Sequence, residues 1–198
     1  ACTSLKTMFF EVENGFNFRN FRTSGRPWHI HQFYPSILFA DQDLSRMAGH
    51  TVMAVVRDPV KRLLSCYSNR VMHHQELSEQ KAGVALQAAD LPCDPDLSTF
   101  VARLPAYCAA VESIWHHAMP MVDYLGRDPQ FYTHLYPIEA TATLQADVER
   151  LTGITTKLKR LQTKGPKIDP GTLSAQEVAL LKDFYAEDYA LYSAYWVV

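Results

Sequence analysis

The chain has 198 residues, 47% of them apolar and 20% charged, which suits one sizeable core and excludes a disordered tail or a disulfide-stapled miniprotein. Nineteen Lys and Arg against twenty-one Asp and Glu leave a net charge of −2, whereas a protein that coats nucleic acid is normally more basic. No stretch approaches the run of about eighteen apolar residues that a membrane span needs. In chain order, Thr3–Glu13 puts Leu5, Met8, Phe9 and Val12 on one face and predicts an amphipathic helix that stops at Asn14-Gly15. Residues 16–27 read as loop with short extended pieces. Trp28–Tyr34 alternates weakly and predicts a strand that Pro35 ends. Residues 35–48 read as a helix or helical turn before Gly49.

Thr51–Arg57 is a near-continuous β-branched and apolar run, the pattern of a buried parallel strand. Asp58-Pro59 supplies an N-cap and a first-turn proline for a helix with Val60, Leu63, Leu64, Tyr67 and Val71 on one face. Strand, turn and helix there form half of a βαβ unit. A helix and loop are expected over 75–95, and helices over Leu97–Arg103 and Ala109–His117. Gln130–Tyr136 predicts a second strand, and Thr141–Thr152 a helix ending at Gly153. Ser174-Ala-Gln-Glu177 is a capping box opening a helix striped by Val178, Leu181, Tyr185, Tyr189 and Tyr192. The alternation predicts one α/β layer domain spanning 1–198.

The small net charge hides a segregation. Residues 14–40 contain no acid but carry Arg19, Arg22, Arg26, His29 and His31. Residues 151–168 again lack acids and hold Lys157, Lys159, Arg160, Lys164 and Lys167. A solvated basic face explains either run alone; together with a basic strand-to-helix turn they point to a polyanionic or multiply phosphorylated ligand. Of Cys2, Cys66, Cys93 and Cys108, only Cys93 and Cys108 form a plausible pair, and none has metal-ligand spacing. This usage leans toward a reducing compartment.

Two motifs carry chemistry. Ala1-Cys2-Thr3-Ser4 places small and hydroxylated residues at a helix start, where free N–H groups and the positive helix end attract anions, although Thr and Ser are also ordinary N-caps. In Val56-Arg57-Asp58-Pro59-Val60-Lys61-Arg62-Leu63-Leu64-Ser65, Arg57 ends a strand, where α/β sheets bind ligands. Ser65 follows two helical turns on, so a guanidinium fork and a hydroxyl could grip one phosphate.

Together these motifs resemble the sulfotransferases that use 3′-phosphoadenosine 5′-phosphosulfate (PAPS), in particular the carbohydrate branch with the Golgi enzymes and the uronyl 2-O-sulfotransferases. Ala1–Ser4 is similar to the second half of that family's 5′-phosphosulfate loop, and Lys6 also fits Golgi members. Residues 56–67 fit its 3′-phosphate motif, Val-Arg-Asp/His-Pro-x-x-Arg-Leu-x-Ser-x-Tyr. His117-x-x-Pro120, Leu161-Gln-Thr-Lys-Gly165 and Tyr185-x-x-Asp188-Tyr189 resemble further family patterns, with Met121 where the family has glutamine. The resemblance implies a P-loop nucleotide-kinase-like three-layer fold with a central parallel sheet. It implies PAPS as donor, PAP as product and no metal.

Sulfuryl transfer, like phosphoryl transfer, rests on positioning and charge neutralisation. The expected donor-binding residues are Ala1, Cys2, Thr3, Ser4, Arg57, Ser65, Lys164, Gly165 and Lys167. The expected base is His31, with His29 the alternative, because neutral imidazole accepts a proton near pH 7 and the family carries a similar His-x-His. On an extended strand both would face one side. Arg19, Arg22, Trp28 and His117 are the expected contacts of a hydroxyl-bearing acceptor, a saccharide first, with a lipid or small alcohol as alternatives and no nucleic acid polymer. The family's lysine precedes the equivalent of Ala1 by two positions, so a Pro-Lys-x sequence and a first strand are expected upstream. The compartment follows the source: cytoplasm for a bacterial protein, Golgi lumen for a eukaryotic one with an N-terminal anchor. Rival readings are a nucleotide or small-molecule kinase, which lacks its Gly-Lys-Thr/Ser loop here, a zinc hydrolase built on the paired histidines, and a non-catalytic PAPS-binding module.

Overall fold

The computed structural model describes residues 2–159, 161 and 164–196. Ala1, Arg160, Gln162 and Thr163, on which some sequence expectations fall, lie outside the described residues. Helix α1 (Cys2–Asn14) is followed by β1 (Phe21–Thr23), β2 (Arg26–Trp28) and the short α2 (Ile30–Phe33). Then come β3 (Met53–Val56), α3 (Pro59–Cys66) and a π-helical turn over Tyr67–His73. Helices α4 (Glu79–Ala88), α5 (Leu97–Ala102), α6 (Leu104–Ala110), α7 (Glu112–Ala118) and α8 (Val122–Leu125) lead to β4 (His134–Pro137). The chain closes with α9 (Thr141–Thr152), α10 (Ala175–Phe184) and α11 (Ala186–Tyr192). The described residues fall into two compact units, one within 1–56, 124–162 and 194–197, the other within 57–123 and 163–193.

In the first unit, β3 and β4 pair in parallel with Met53 opposite His134 and Val56 opposite Pro137. Proline cannot donate to a ladder, so the pairing stops there. The central parallel sheet that the resemblance implies is, among the described residues, the parallel pair β3–β4, and β1–β2 forms a separate antiparallel hairpin. The hairpin turns at Ser24 (φ 49°) and Gly25 (φ 74°), two successive positive φ values of the kind that match strand twist. Met8, Tyr136, Leu144 and Val148 form a small buried cluster, with Leu5, Val12, Met53, Val55 and Leu158 packed on it.

Trp28–Tyr34 is not the expected strand: β2 ends at Trp28, His29 stays extended, and α2 begins at Ile30. The reason is an i, i+3 apolar pair, Ile30 and Phe33, on which a helical turn can close. Ile30 is buried, and Phe33 meets Phe10 edge-on at 5.1 Å. Residues 35–48 form two 3₁₀ turns, Phe39–Asp41 and Leu44–Met47. The second predicted strand shortens to β4 because Asp128 caps a 3₁₀ turn at Pro129–Phe131.

The second unit is helical around a larger core. Leu63, Leu77, Leu86, Phe100, Tyr107, Ile114 and Tyr185 are each fully buried there. Each such aliphatic or aromatic side chain contributes about 1.5–3 kcal/mol on leaving water. The Asp58 cap and Pro59 start α3 as expected, with Asp58 Oδ1 accepting the Lys61 N–H at 2.8 Å. The Ser174–Glu177 capping box is present. The helix predicted over Ala109–His117 is instead two, broken at Val111, whose extended φ of −133° interrupts the ladder. Cys93 and Cys108 do not pair: all four cysteines are free thiols, Cys93 donating to Glu79 while burial pushes Cys108 up to about 12. Among the described residues no helix is long and apolar enough to cross a membrane.

Candidate active site

The sequence-selected residues fall into two groups, one in each unit. In the first, Cys2, Thr3 and Ser4 do not form a loop ahead of α1 but its opening turn. That changes their backbone and not their chemistry: the first-turn N–H groups of a helix have no intrahelical acceptor, and no acid stands in this turn. Ser4 is buried and its hydroxyl accepts the Leu161 N–H at 3.2 Å. Thr3 is half-buried and its Oγ1 lies 2.8 Å from His31 Nε2. The Lys6 ammonium lies one turn further on, 3.5 Å from His31 Nδ1, and donates to Ser36 Oγ at 2.9 Å.

His31 reaches α1 because the hairpin folds the chain back and α2 buries Ile30, which turns the next residue toward Thr3 and Lys6. His29 does not share that position. It is the exposed N-cap of α2, its N–H donating to Gln32 Oε1 at 2.6 Å, so the strand expected to align the two histidines is replaced by a cap and a helix.

Of the expected acceptor contacts, Arg22 donates to Gly25 O at 3.0 Å across the hairpin turn, and Trp28 stacks on Phe21 at 5.8 Å with planes 7° apart. Arg19, with Asn14 and Asn17, lines a cavity of about 780 Å³ walled by Phe10, Phe16, Phe18, Phe21 and Phe33. His117 belongs to the other unit; its ring lies edge-on to His116 at 5.0 Å, and its carbonyl accepts from Arg62.

In the second unit, Arg57 is half-buried at the entry to α3 and Ser65 is exposed on that helix, its hydroxyl donating to Lys61 O at 3.1 Å. The helix then widens into the π turn, which sets the next side chains against the 164–166 segment. Asn69 Nδ2 donates to Lys164 O at 3.0 Å, and Ser68 Oγ donates to Pro166 O at 2.5 Å. Gly165 has φ 109°, and a Cβ there would stand 2.5 Å from Ser68 Oγ and 2.7 Å from its carbonyl oxygen. The expected Lys164–Gly165 segment is thus docked on the element that continues the Arg57–Ser65 motif. Lys164 and Lys167 are exposed.

Other motif residues turn out to hold this frame. The Arg62 guanidinium donates to the carbonyls of His117, Ala118 and Met119. Asp188, fully buried, accepts the N–H groups of Met121 and Val122 at 2.8 and 2.9 Å, and burial pushes its carboxyl above the usual range against those bonds. Tyr189 donates to Asp58 Oδ2 at 3.1 Å and Tyr185 to Ala118 O at 2.6 Å. Sequence reasoning missed the roles of Lys6, Ser36, Arg62, Ser68 and Asn69. Ser68 and Asn69 follow the Ser65-x-Tyr67 motif directly, but the chain segment they bond lies 98 and 95 positions away.

Among the described residues no group of three or more His, Cys, Asp or Glu is arranged to hold a metal ion. Neither curated proteins nor solved structures give a match to this chain. The family described as Sulfotransferase family has a model that matches residues 1–195.

Proposed function

The chain belongs to the sulfotransferase family, and from that premise we propose that it moves the sulfuryl group of PAPS to a hydroxyl of a carbohydrate, on a P-loop nucleotide-kinase-like fold. The single observation that carries this reading is the 2.8 Å contact between Thr3 and His31. It joins a residue selected as an anion ligand to one selected as a base, twenty-eight positions apart in the chain.

The residues present fit an anionic donor. The first turn of α1 carries the Thr3 hydroxyl and no acid. Cys2, Thr3 and Ser4 would serve the 5′ side, Ser4 mainly by fixing Leu161. Arg57 and Ser65 would hold the 3′-phosphate, with Lys164 and Lys167 adding charge on the segment that Ser68 and Asn69 anchor. The donor supplies an activated sulfuryl group; the protein's part is to neutralise the charge that builds on the leaving phosphate and to deprotonate the acceptor. His31 takes that proton in the neutral imidazole form. Arg19 and the aromatic walls around it suit a sugar, whose C–H faces stack on rings while its hydroxyl and acidic groups meet Asn and Arg.

The test incubates the full protein with sulfur-labelled PAPS and a panel of glycans, lipids and small alcohols, beside direct titration of PAP. Transfer to glycans is expected, together with PAP binding that Arg57→Ala weakens about fiftyfold through loss of charged hydrogen bonds. PAP binding without transfer to any acceptor overturns the catalytic reading, and binding that Arg57→Ala leaves unchanged overturns the nucleotide site.

A further inference from the structure

We infer that Lys6 is a positioning residue for His31: it fixes which ring nitrogen carries the proton and parks itself on Ser36 so that the acceptor hydroxyl can meet the other. This deepens the reading of His31 as the base and rests on it.

The argument starts from what each group can donate. An ammonium has three N–H donors and no lone pair, so in its 3.5 Å contact with His31 Nδ1 the nitrogen must accept. In a neutral imidazole with a bare Nδ1, the proton resides on Nε2. Nε2 lies 2.8 Å from Thr3 Oγ1, so Nε2–H donates and the Thr3 oxygen accepts. The hydroxyl of Thr3 then keeps its own proton to donate elsewhere, which is what a neighbour of bound phosphate needs. The three side chains thus form a directed relay: Lys6 to His31, His31 to Thr3, Thr3 outward. Were the tautomer reversed, Nδ1–H would point at an ammonium, donor against donor.

The unequal distances give Lys6 its second duty. Its bond to Ser36 Oγ at 2.9 Å is the tighter of the two, and its contact with Nδ1 is near the outer limit of a hydrogen bond. A hydroxyl can therefore replace Lys6 at Nδ1 while Lys6 stays on Ser36. On reaction the acceptor O–H bond breaks and its proton passes to Nδ1, while the oxygen bonds to sulfur. The pair of the broken sulfur–oxygen bond goes to the leaving 5′-phosphate of PAPS. Helix α1 and α2 are the elements that make this arrangement possible, since Thr3 and Lys6 lie about one turn apart on α1 and both reach the same ring.

The experiment is nitrogen-15 NMR of the full protein with labelled histidine, the His31 signals assigned by their loss in His31→Gln. At about pH 8, where imidazole is neutral, wild type is expected to show a protonated Nε2 and a bare Nδ1. Lys6→Met is expected to give a mixture of tautomers, and Lys6→Arg to restore the wild-type pattern. In parallel, Lys6→Met is expected to lower kcat about tenfold while KM for PAPS stays within about twofold, a loss of orientation rather than of binding. A proton on Nδ1 in wild type, or a tautomer that ignores Lys6→Met, overturns the inference. The spectra need no turnover, so an inactive wild type would sink the sulfotransfer reading while the tautomer alone still decided the role of Lys6.

Discussion

The two units solve opposite problems. In the first, a small buried cluster around Met8 and Tyr136 supports side chains that stay within reach of solvent: Thr3, Lys6, His31, Arg19 and a rim of exposed phenylalanines, with Phe16 62% exposed. In the second, the motif residues are wired into packing. Asp58 caps α3 and receives Tyr189, Arg62 clamps three consecutive carbonyls, and Asp188 closes the next turn of chain. The difference teaches that a motif residue in a sequence can be chemistry in one place and scaffold in another. Val56–Tyr67 reads as one phosphate motif, yet only Arg57 and Ser65 of it are proposed as ligands, while Asp58, Arg62, Leu63 and Tyr67 bond or pack within the second unit.

This contrast predicts that substitutions at the solvent-accessible side chains of the first unit cost activity without stability. The largest effect expected is His31→Ala: kcat falls about a thousandfold, the scale of a lost general base, with the urea midpoint unmoved. A matching fall in stability would break the comparison, because His31 would then be scaffold as well. Leu63→Ala should do the reverse. Leu63 is completely buried, and its truncation is expected to cost about 3 kcal/mol in equilibrium unfolding. An effect below about 1 kcal/mol would mean that the core collapses around the gap more freely than close packing allows.

Gly165→Ala should sharpen the picture by touching both properties at once. Its φ of 109° and the close Ser68 atoms leave no room for a methyl group, so about 2 kcal/mol of strain is expected. PAP affinity should fall with it, since Lys164 and Lys167 ride on that backbone. Unchanged affinity beside lowered stability would remove this segment from the nucleotide site. The smallest effect concerns pH. Burial raises the Asp188 carboxyl in the folded protein, so the folded state binds more protons than the unfolded one between the ordinary Asp value and the raised one. Its contribution to stability is therefore fully present below the ordinary value and is lost as pH rises through the raised one. Asp188→Asn should flatten that part of a stability-against-pH curve, and an unaltered slope would assign it to another group.

Elements with caps and strong periodicity were legible in the sequence. Asp58-Pro59 and Ser174–Glu177 name their helix starts through local hydrogen bonding, while Thr141–Thr152 is marked by its apolar spacing and by Gly153, which closes it at a φ of 72°. The hairpin and α2 were not, because seven residues of weak alternation suit a strand and a helical turn equally. Burial of Ile30 and the rings around Phe10 decide between them, and that is a tertiary choice. At the site, residue type pointed to Thr3, Arg57 and His31. Lys6, Ser68 and Asn69 could not be found in the same way, since their roles come from partners twenty-five and ninety-five positions away or more.

The widened turn at Tyr67–His73 makes length itself a constraint. A π-helical stretch is an α-helix carrying a surplus residue, so deleting one position would return the segment to ordinary pitch. Residues on one side of the cut would swing by about 100° relative to the other, the angle per residue of an α-helix. Ser68 and Asn69 could then no longer both meet the backbone of residues 164–166, however faithfully their identities were kept. Between Ser65 and His73 the count of residues is therefore part of the inherited information, and a one-residue gap there does the harm of a double substitution.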